Sequence, residues 1–224
     1  MAAVAASLVA ACGSPRTYET DPRALLREGK QAVDATQSVH FSITSSEVQA
    51  SGTYITGGSG DAKRPDGFTG SLAVVVGGLP LNIAILSTHG TFYVKLPFSS
   101  TYAATDPAKY GFADPGHLID PSTGLSTLLV SAKTASLGDR DRFRGEELYE
   151  VHASFPGQQV KDLLTSADPA KDVSGTVGIN VDNHQVRRVV LTGPFFDAKK
   201  LSSYTLILDN YGENVSITSP PTTG

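Results

Sequence analysis

Cys12 is the only cysteine in the chain, and it directly follows the alanine-rich apolar run Met1-Ala-Ala-Val-Ala-Ala-Ser-Leu-Val-Ala-Ala. Val9-Ala10-Ala11-Cys12 has the form of a bacterial lipobox. Small residues precede the bond that a signal peptidase cuts, and the cysteine after it offers a thiol for a diacylglycerol. On this reading residues 1–11 are a signal peptide and residues 12–20 a lipidated tether. The competing reading is an ordinary free thiol at a frayed terminus. The run lacks the basic residues and the length of a complete export signal, which a start codon assigned too far downstream would explain. It is too short to cross a hydrocarbon core, which needs about 20 apolar residues, and no second run of that length occurs. The acyl group is then the anchor. At about 0.8 kcal/mol per buried CH₂, two or more acyl chains hold a protein durably where one does not.

Few other residues have spacing suited to chemistry. His40, His89, His117, His152 and His184 stand far apart with no ligand-like spacing, which argues against a histidine metal site. No Gly-x-Ser-x-Gly elbow, Walker loop or dinucleotide fingerprint occurs; Gly57-Gly-Ser-Gly-Asp lacks the final glycine. A serine triad needs no sequence proximity, so a hydrolase acting on lipids remains a third reading, behind two non-enzymatic ones. The most charged stretch is Gly138-Asp-Arg-Asp-Arg-Phe-Arg-Gly-Glu-Glu. If extended, it sets Arg140, Arg142 and Arg144 on one face, where they would suit lipid phosphates. The plainer reading is a solvated strand whose charges deter edge pairing. With a single cysteine no internal disulfide forms. The net charge of −4, without a basic block, speaks against nucleic acid.

The elements that must carry these residues are mostly strands. The chain is 40% hydrophobic and 18% charged and has no tryptophan, so it can bury one large core. Residues 21–224 read as one domain. A helix begins at Asp21-Pro22, with Asp21 as cap and Leu25, Leu26, Ala32 and Val33 inward. Val39, Phe41 and Ile43 alternate in a strand, Gly52 to Thr56 is its return, and Gly57–Asp61 is a turn or loop. Leu72, Val74 and Val76, then Leu81, Ile83 and Ile85, then Phe92, Val94 and Leu96 alternate in a meander broken at Gly77-Gly78 and His89-Gly90. Phe98 to Pro121 is irregular. Short helices over Ser122–Ala132 and Gln158–Ser166 bury Leu125, Leu128 and Leu129, and Val160, Leu163 and Leu164. Four further strands run through Glu147–Phe155, Val177–Val181, Val186–Leu191 and Tyr204–Leu208, and Val215 with Ile217 makes a last alternating pair.

The aliphatic stripes carry two readings. Leu72, Val74, Val76, Ile83, Ile85, Phe92 and Val94 either fill a solid core or line a hollow between sheet and helices. Patterning cannot tell these apart. The mid-sized side chains, with few aromatics to plug the middle, and the glycine content suit a hollow.

Several segments resemble one family. Leu118-Ile-Asp-Pro-Ser-Thr-Gly-Leu-Ser-Thr-Leu-Leu is its most specific match. Thr69-Gly-Ser-Leu-Ala-Val-Val-Val-Gly-Gly, Asp182-Asn-His-Gln-Val and the ending Tyr211-Gly-Glu-Asn-Val-Ser-Ile-Thr-Ser-Pro-Pro follow the same pattern in the same order. They are similar to the mycobacterial LppX/LprG-type lipoproteins, which include LprA and LprF, and the chain is nearest in kind to LprF. The resemblance implies an α+β fold, a strongly curved antiparallel β half-barrel with helices covering its concave face and enclosing an apolar cavity. By position it places Leu72, Val74, Val76, Leu81, Ile83 and Ile85 on the cavity wall, to which the stripes add Phe92, Val94, Leu125, Leu128 and Leu129. It implies no cofactor, no metal and no catalysis, and a bound diacyl or triacyl lipid or glycolipid as ligand. The shortened signal segment departs from the family pattern.

The expectation is a monomeric lipoprotein of the cell envelope, held to the membrane by the lipid on Cys12 and facing the periplasm. It would carry acylated lipids or glycolipids between membranes, with the headgroup near the loops around Phe98 to Pro115. The alternative from another class is an envelope interaction protein that modulates a membrane sensor or transporter, with lipid binding secondary.

Overall fold

Asp21, with an extended backbone, caps the first helix. Its carboxylate accepts a hydrogen bond from Arg23 N at 2.9 Å, and Pro22, which needs no backbone partner there, takes the first turn, giving α1 over Pro22–Ala35. Leu25, Leu26, Gly29 and Val33 form its buried side. The computed structural model describes residues 20–48, 53–197 and 199–220. The signal segment, Cys12, most of the tether and the expected strand start at Gly52 lie outside the described residues, as do residues 221–224.

Six strands follow: β1 (Ser38–Ser46), β2 (Tyr54–Lys63), β3 (Gly67–Val76), β4 (Leu79–Thr88), β5 (Thr91–Lys95) and the short β6 (Ala103–Ala104). Turns Gly77-Gly78 and His89-Gly90 have positive φ at both residues, as tight hairpins require. One expectation fails here. Gly57–Asp61 is no turn but the middle of β2, with Gly58 opposite Leu72 and Gly60 opposite Gly70. A Cβ on Gly58 would stand 2.4 Å from a Leu72 methyl and 2.6 Å from the Ser71 carbonyl; one on Gly60 would stand 2.4 Å from the Thr69 carbonyl. The glycines let β2 and β3 approach to a separation that no larger residue allows.

After two single-turn 3₁₀ segments, Pro107–Tyr110 and Pro115–His117, come α2 (Leu125–Val130), β7 (Thr134–Phe143), β8 (Glu146–Phe155), α3 (Gly157–Lys161), β9 (Val173–Asn180), β10 (Val186–Asp197) and β11 (Lys200–Asp209). All strand pairs are antiparallel and form one 11-stranded sheet, ordered β6-β5-β4-β3-β2-β1-β11-β10-β9-β8-β7. Two meanders are thus joined where β1 meets β11, Ile43 opposite Leu206. The described fold is mostly β with three helices, two of them a turn or so long.

Val215 and Ile217 do not add a strand. Both sides of β1 are taken by β2 and β11, so no edge is open near the chain's end. Residues 211–220 instead cross the sheet's end, with Gly212 N donating to Ser38 O at 2.9 Å, Ser38 Oγ to Glu213 O and Lys63 Nζ to Val215 O. The charged segment Gly138–Phe143 is the far edge strand β7, interrupted by a bulge between Leu137 and Arg140. Charge and bulge both discourage pairing with another chain.

One face of the sheet carries the core. Val39, Phe41, Leu72, Ile85, Val177, Ile179, Val189 and Leu208 point inward and meet α1, α2 and the loops on that side. Lys30 of α1 donates to Asp34 at 2.8 Å, and the fully buried Ser126 hydroxyl of α2 donates to the same carboxylate at 2.6 Å. This polar pin fixes α2 on α1.

Candidate functional site

The inner face is not solid. Tyr204 and Leu208 of β11 are 3% and 0% exposed, yet Leu206 between them, on the same face near the centre of the sheet, is only half-buried. It borders a cavity of about 390 Å³. Its wall is built by six adjacent strands, β4 through β10: Ile85, Leu72, Ile55, Phe41 and Ile43, Tyr204 and Leu206, Val189 and Leu191. The covering side supplies Phe112 to Pro115, His117, Leu118, Thr123, Leu125 and Asp162 to Leu164. In a flat sheet those strands would span roughly 24 Å at 4.8 Å per step.

Aromatic rings line part of the hollow and pack around it. Phe41 and Phe68 meet at 5.1 Å, Phe92 and Phe112 edge-on at 5.6 Å, and Phe195 and Tyr204 edge-on at 5.1 Å. Tyr54 of β2 reaches Phe196 of β10, ring centres 5.5 Å apart, although β1 and β11 lie between their strands. Burial pushes the Tyr204 phenol up to about 12, against the lowering pull of the neighbouring Ser166 hydroxyl. It stays neutral and presents an apolar wall.

The family-like segment has a clear local job. The Asp120 carboxylate accepts from Ser122 N at 2.8 Å, Thr123 N at 2.9 Å and Thr123 Oγ1 at 3.1 Å. The Ser122 amide, with further help from Thr123, holds its pKa below the usual carboxylate value against a modest burial penalty. A Cβ on Gly124 would lie 2.6 Å from the carbonyls of both Leu118 and Asp120, so only glycine closes this turn. The result sets Leu118 and Thr123 at the opening and drives Leu125 into the hollow.

Polar groups gather at the mouth. His117, Thr123 and Asp162 are exposed, beside half-buried Leu118 and Leu163. Asp114 is held by the Ser87 hydroxyl and by Gly116 N at 2.8 Å, and the Asp162 carboxylate accepts from Gln158 Nε2 at 2.8 Å. Of the loop from Phe98 to Pro115, expected to meet a headgroup, only Phe112 to Pro115 borders the cavity. Phe98 itself is fully exposed elsewhere.

Of the residues read from sequence, Leu72, Ile85 and Leu125 line the cavity. Val74, Ile83, Phe92, Val94, Leu128 and Leu129 are buried in the core around it. Val76 and Leu81 are half-buried at the margin of that core. Sequence alternation marked Phe41, Ile43, Tyr204 and Leu206 as inward-facing without showing that they meet across the sheet. Phe112 and His117, in an aperiodic loop, gave no signal. Cys12 lies outside the described residues.

The arginine segment is engaged with acids. Arg140 pairs with Glu147 at 2.7 Å, Arg144 with Asp209 at 2.6 Å, and Asp141 accepts from Arg188 at 2.7 Å. Arg144 sits in the turn at φ 49°, so the three arginines do not form one continuous face. Among the described residues no group of three or more His, Cys, Asp or Glu is placed to hold a metal, and no helix is long and apolar enough to cross a membrane.

Comparison with known proteins places this geometry. The model of the LppX_LprAFG lipoprotein family matches residues 21–217. The lipoarabinomannan carrier proteins LprG of Mycobacterium tuberculosis (strain ATCC 25618 / H37Rv) and Mycobacterium bovis (strain BCG / Pasteur 1173P2) are each 25% identical to the chain, over 97% of it and 92% of their own length. In structure, LprF from Mycobacterium bovis superposes with a TM-score of 0.71 at 18% identity, covering 90% of this chain and 97% of that one. LppX from Mycobacterium tuberculosis superposes with a TM-score of 0.63 at 20% identity, covering 89% and 100%. The two structures share the fold.

Proposed function

We propose, from the premise that this chain belongs to the LppX_LprAFG lipoprotein family, that it is a membrane-anchored carrier which shelters the acyl part of a lipid or glycolipid in the cavity beneath the covering segments 112–125 and 162–164. The observation that carries the reading is the hollow at Leu206: an apolar space of about 390 Å³ whose charged groups stand at the opening. An acyl chain that leaves a bilayer for this space exchanges one apolar surrounding for another, so the transfer costs little. A sugar or phosphate headgroup stays outside, within reach of His117, Thr123 and Asp162. The name of the LprG relatives, lipoarabinomannan carrier, supports a glycolipid as the ligand class. That the wall draws on six strands, and that Tyr54 reaches Phe196 across two of them, supports a sheet wrapped around its ligand as a half-barrel.

The space has room for roughly a dozen groups of about 30 Å³ each, which is about one acyl tail. A diacyl or triacyl ligand therefore requires the covering loops, residues 112–123 and 162–164, to move outward. Acylation of Cys12 keeps the carrier beside its donor membrane and raises its effective concentration there. In this role the side chains Leu72, Ile85 and Leu125 hold ligand, while Val74, Ile83, Phe92, Val94, Leu128 and Leu129 support the wall.

Native mass spectrometry of the Cys12→Ser full chain, purified from a mycobacterial host, tests the reading. A stoichiometric acylated species, displaced in a Leu72→Trp variant, is the expected result. A lipid-free mass with no uptake of offered lipids would overturn it and favour an envelope interaction protein.

A further inference from the structure

Four of the six exposed large hydrophobic side chains among the described residues, Leu79, Leu96, Phe98 and Leu201, lie at one end of the sheet. The strand register places all four toward that end, on strands or loops spread from β5 to β11. Tyr54 stands opposite Val75, so the β1–β2 connection and the β3–β4 turn share an end. Ala84 stands opposite Lys95, so β5 runs toward the end where β4 starts at Leu79, and the loop after it carries Leu96 and Phe98 in that direction. Ser46 stands opposite Ser203, so the start of β11, with Leu201, is at that end too. Phe98 is 100% exposed and Leu79 68%. The opposite end is made of Arg64–Asp66, His89-Gly90, Arg144-Gly145, Asp182–His184 and Asn210–Glu213, and among the described residues it exposes no large hydrophobic.

A second observation says what meets the apolar end. Arg23, in the first turn of α1, donates to the carbonyls of Ala132 at 3.1 Å and Lys133 at 2.7 Å, and Lys133 N donates to Ser154 O at 2.8 Å. Ser154 belongs to the cross-strand row Thr134, Ser154, Ser174, Thr192, Ser203 and Ser46, which borders the same end. The chain therefore enters its fold there. Cys12 precedes Asp21 by nine residues, a reach of at most about 32 Å. An acyl group on Cys12 therefore anchors the chain from this end of the fold rather than from the charged one.

We propose that the tips carrying Leu79, Leu96, Phe98 and Leu201 form a docking rim that inserts into the surface of a lipid bilayer. Exposed apolar side chains clustered on a soluble fold mark such contacts, and aromatic and leucine side chains favour the headgroup–acyl boundary. The rim also sets orientation, with the sheet standing on the membrane and the charged turns pointing away. The proposal extends the carrier reading but does not depend on ligand in the cavity.

The chain has no tryptophan, so Phe98→Trp is a clean reporter. It is placed in the full chain with Cys12→Ser, which removes the acyl anchor, and titrated with vesicles of phosphatidylcholine and phosphatidylglycerol. Leu137→Trp, exposed along the edge strand β7 and not at a strand end, is the control. Insertion predicts that the Phe98→Trp variant shows a blue-shifted indole emission that brominated lipid quenches, while the emission of the Leu137→Trp variant does not shift. It also predicts at least about a tenfold weaker vesicle affinity per apolar side chain removed in Leu79→Ser and Leu201→Ser variants with unchanged circular dichroism. Equal behaviour of the two reporters, or unchanged affinity in folded serine variants, overturns the rim. Lipid uptake into the cavity, followed by mass in the same samples, separates the two readings: uptake without insertion sinks the rim alone, and insertion without uptake sinks the carrier alone.

Discussion

Leu206→Trp and Leu208→Trp, two residues apart on the same face of β11, should behave as opposites. Leu208 is fully buried in a packed region, whereas Leu206 looks onto the 390 Å³ hollow between Ile43 and Val189. Forcing an indole into a packed core costs typically 1–3 kcal/mol, and Leu208→Trp is expected at the top of that range, about 3 kcal/mol. At Leu206 the same insertion fills space. Residual cavity volume costs about 24 cal/mol per Å³, so an indole occupying about 50 Å³ of the hollow regains about 1.2 kcal/mol. The net change should stay within about 1 kcal/mol of wild type. Urea denaturation reads both values, and native mass spectrometry reads bound lipid. The expected pattern is a stable Leu206→Trp with little lipid and a strongly weakened Leu208→Trp. If both variants lose stability alike and Leu206→Trp keeps its lipid, the hollow is no binding site.

Three further outcomes follow from local geometry. Gly60→Ala drives a methyl to within 2.4 Å of the Thr69 carbonyl and 2.9 Å of Gly70 Cα; neither backbone atom can yield freely, and calorimetry should show a loss of about 2–3 kcal/mol. Asp34→Ala leaves the buried Ser126 hydroxyl and the Lys30 ammonium without their shared acceptor, which should cost about 1–3 kcal/mol in urea. Glu146 accepts from Arg187 at 2.6 and 2.8 Å and from Asn180 at 3.0 Å. Burial pushes its carboxyl up, but these bonds together outweigh burial and leave it below its ordinary value. A lowered pKa in the fold means stability that is present above the ordinary carboxylate range and lost as pH falls through the folded value. The melting temperature of wild type should therefore exceed that of Glu146→Gln at neutral pH, and the gap should close in acid; a constant gap would contradict the assignment.

Much of the fold was legible from residue order. Asp21-Pro22 marked the start of α1, alternation marked the inward faces of β1, β3, β4, β9 and β11, and Gly77-Gly78 and His89-Gly90 marked tight turns. The misreadings have physical causes. Glycine at positions 57, 58 and 60 signals a turn when judged locally, but here it answers a demand from the neighbouring strand, which only the pairing with β3 reveals. Val215 and Ile217 alternate like a strand but find both sides of β1 already bonded. Alternation also showed which side chains face inward without showing whether they touch. Leu72 and Val74 share a face, yet one borders the hollow and the other packed core, because cavity walls depend on what covers them. Phe112 and His117 are held by turns such as the Asp114 cap and carry no period for a sequence to display.

The joining of the two meanders has a consequence for how the chain folds. Each meander pairs strands that are neighbours in sequence, β8 and β9 through the segment that carries α3, but the β1–β11 seam pairs residues near Phe41 with residues near Leu208. The helix α1, made first, packs against α2 and β7–β10, elements made last. Closing a loop of that length precedes any reward from it, so assembly of the seam should limit the folding rate, as non-local strand pairing does in general. A chain that emerges N-terminus first would thus present α1 before that helix had anything to rest on. Its first folded half would be the β1–β6 meander, with one side of β1 waiting for β11.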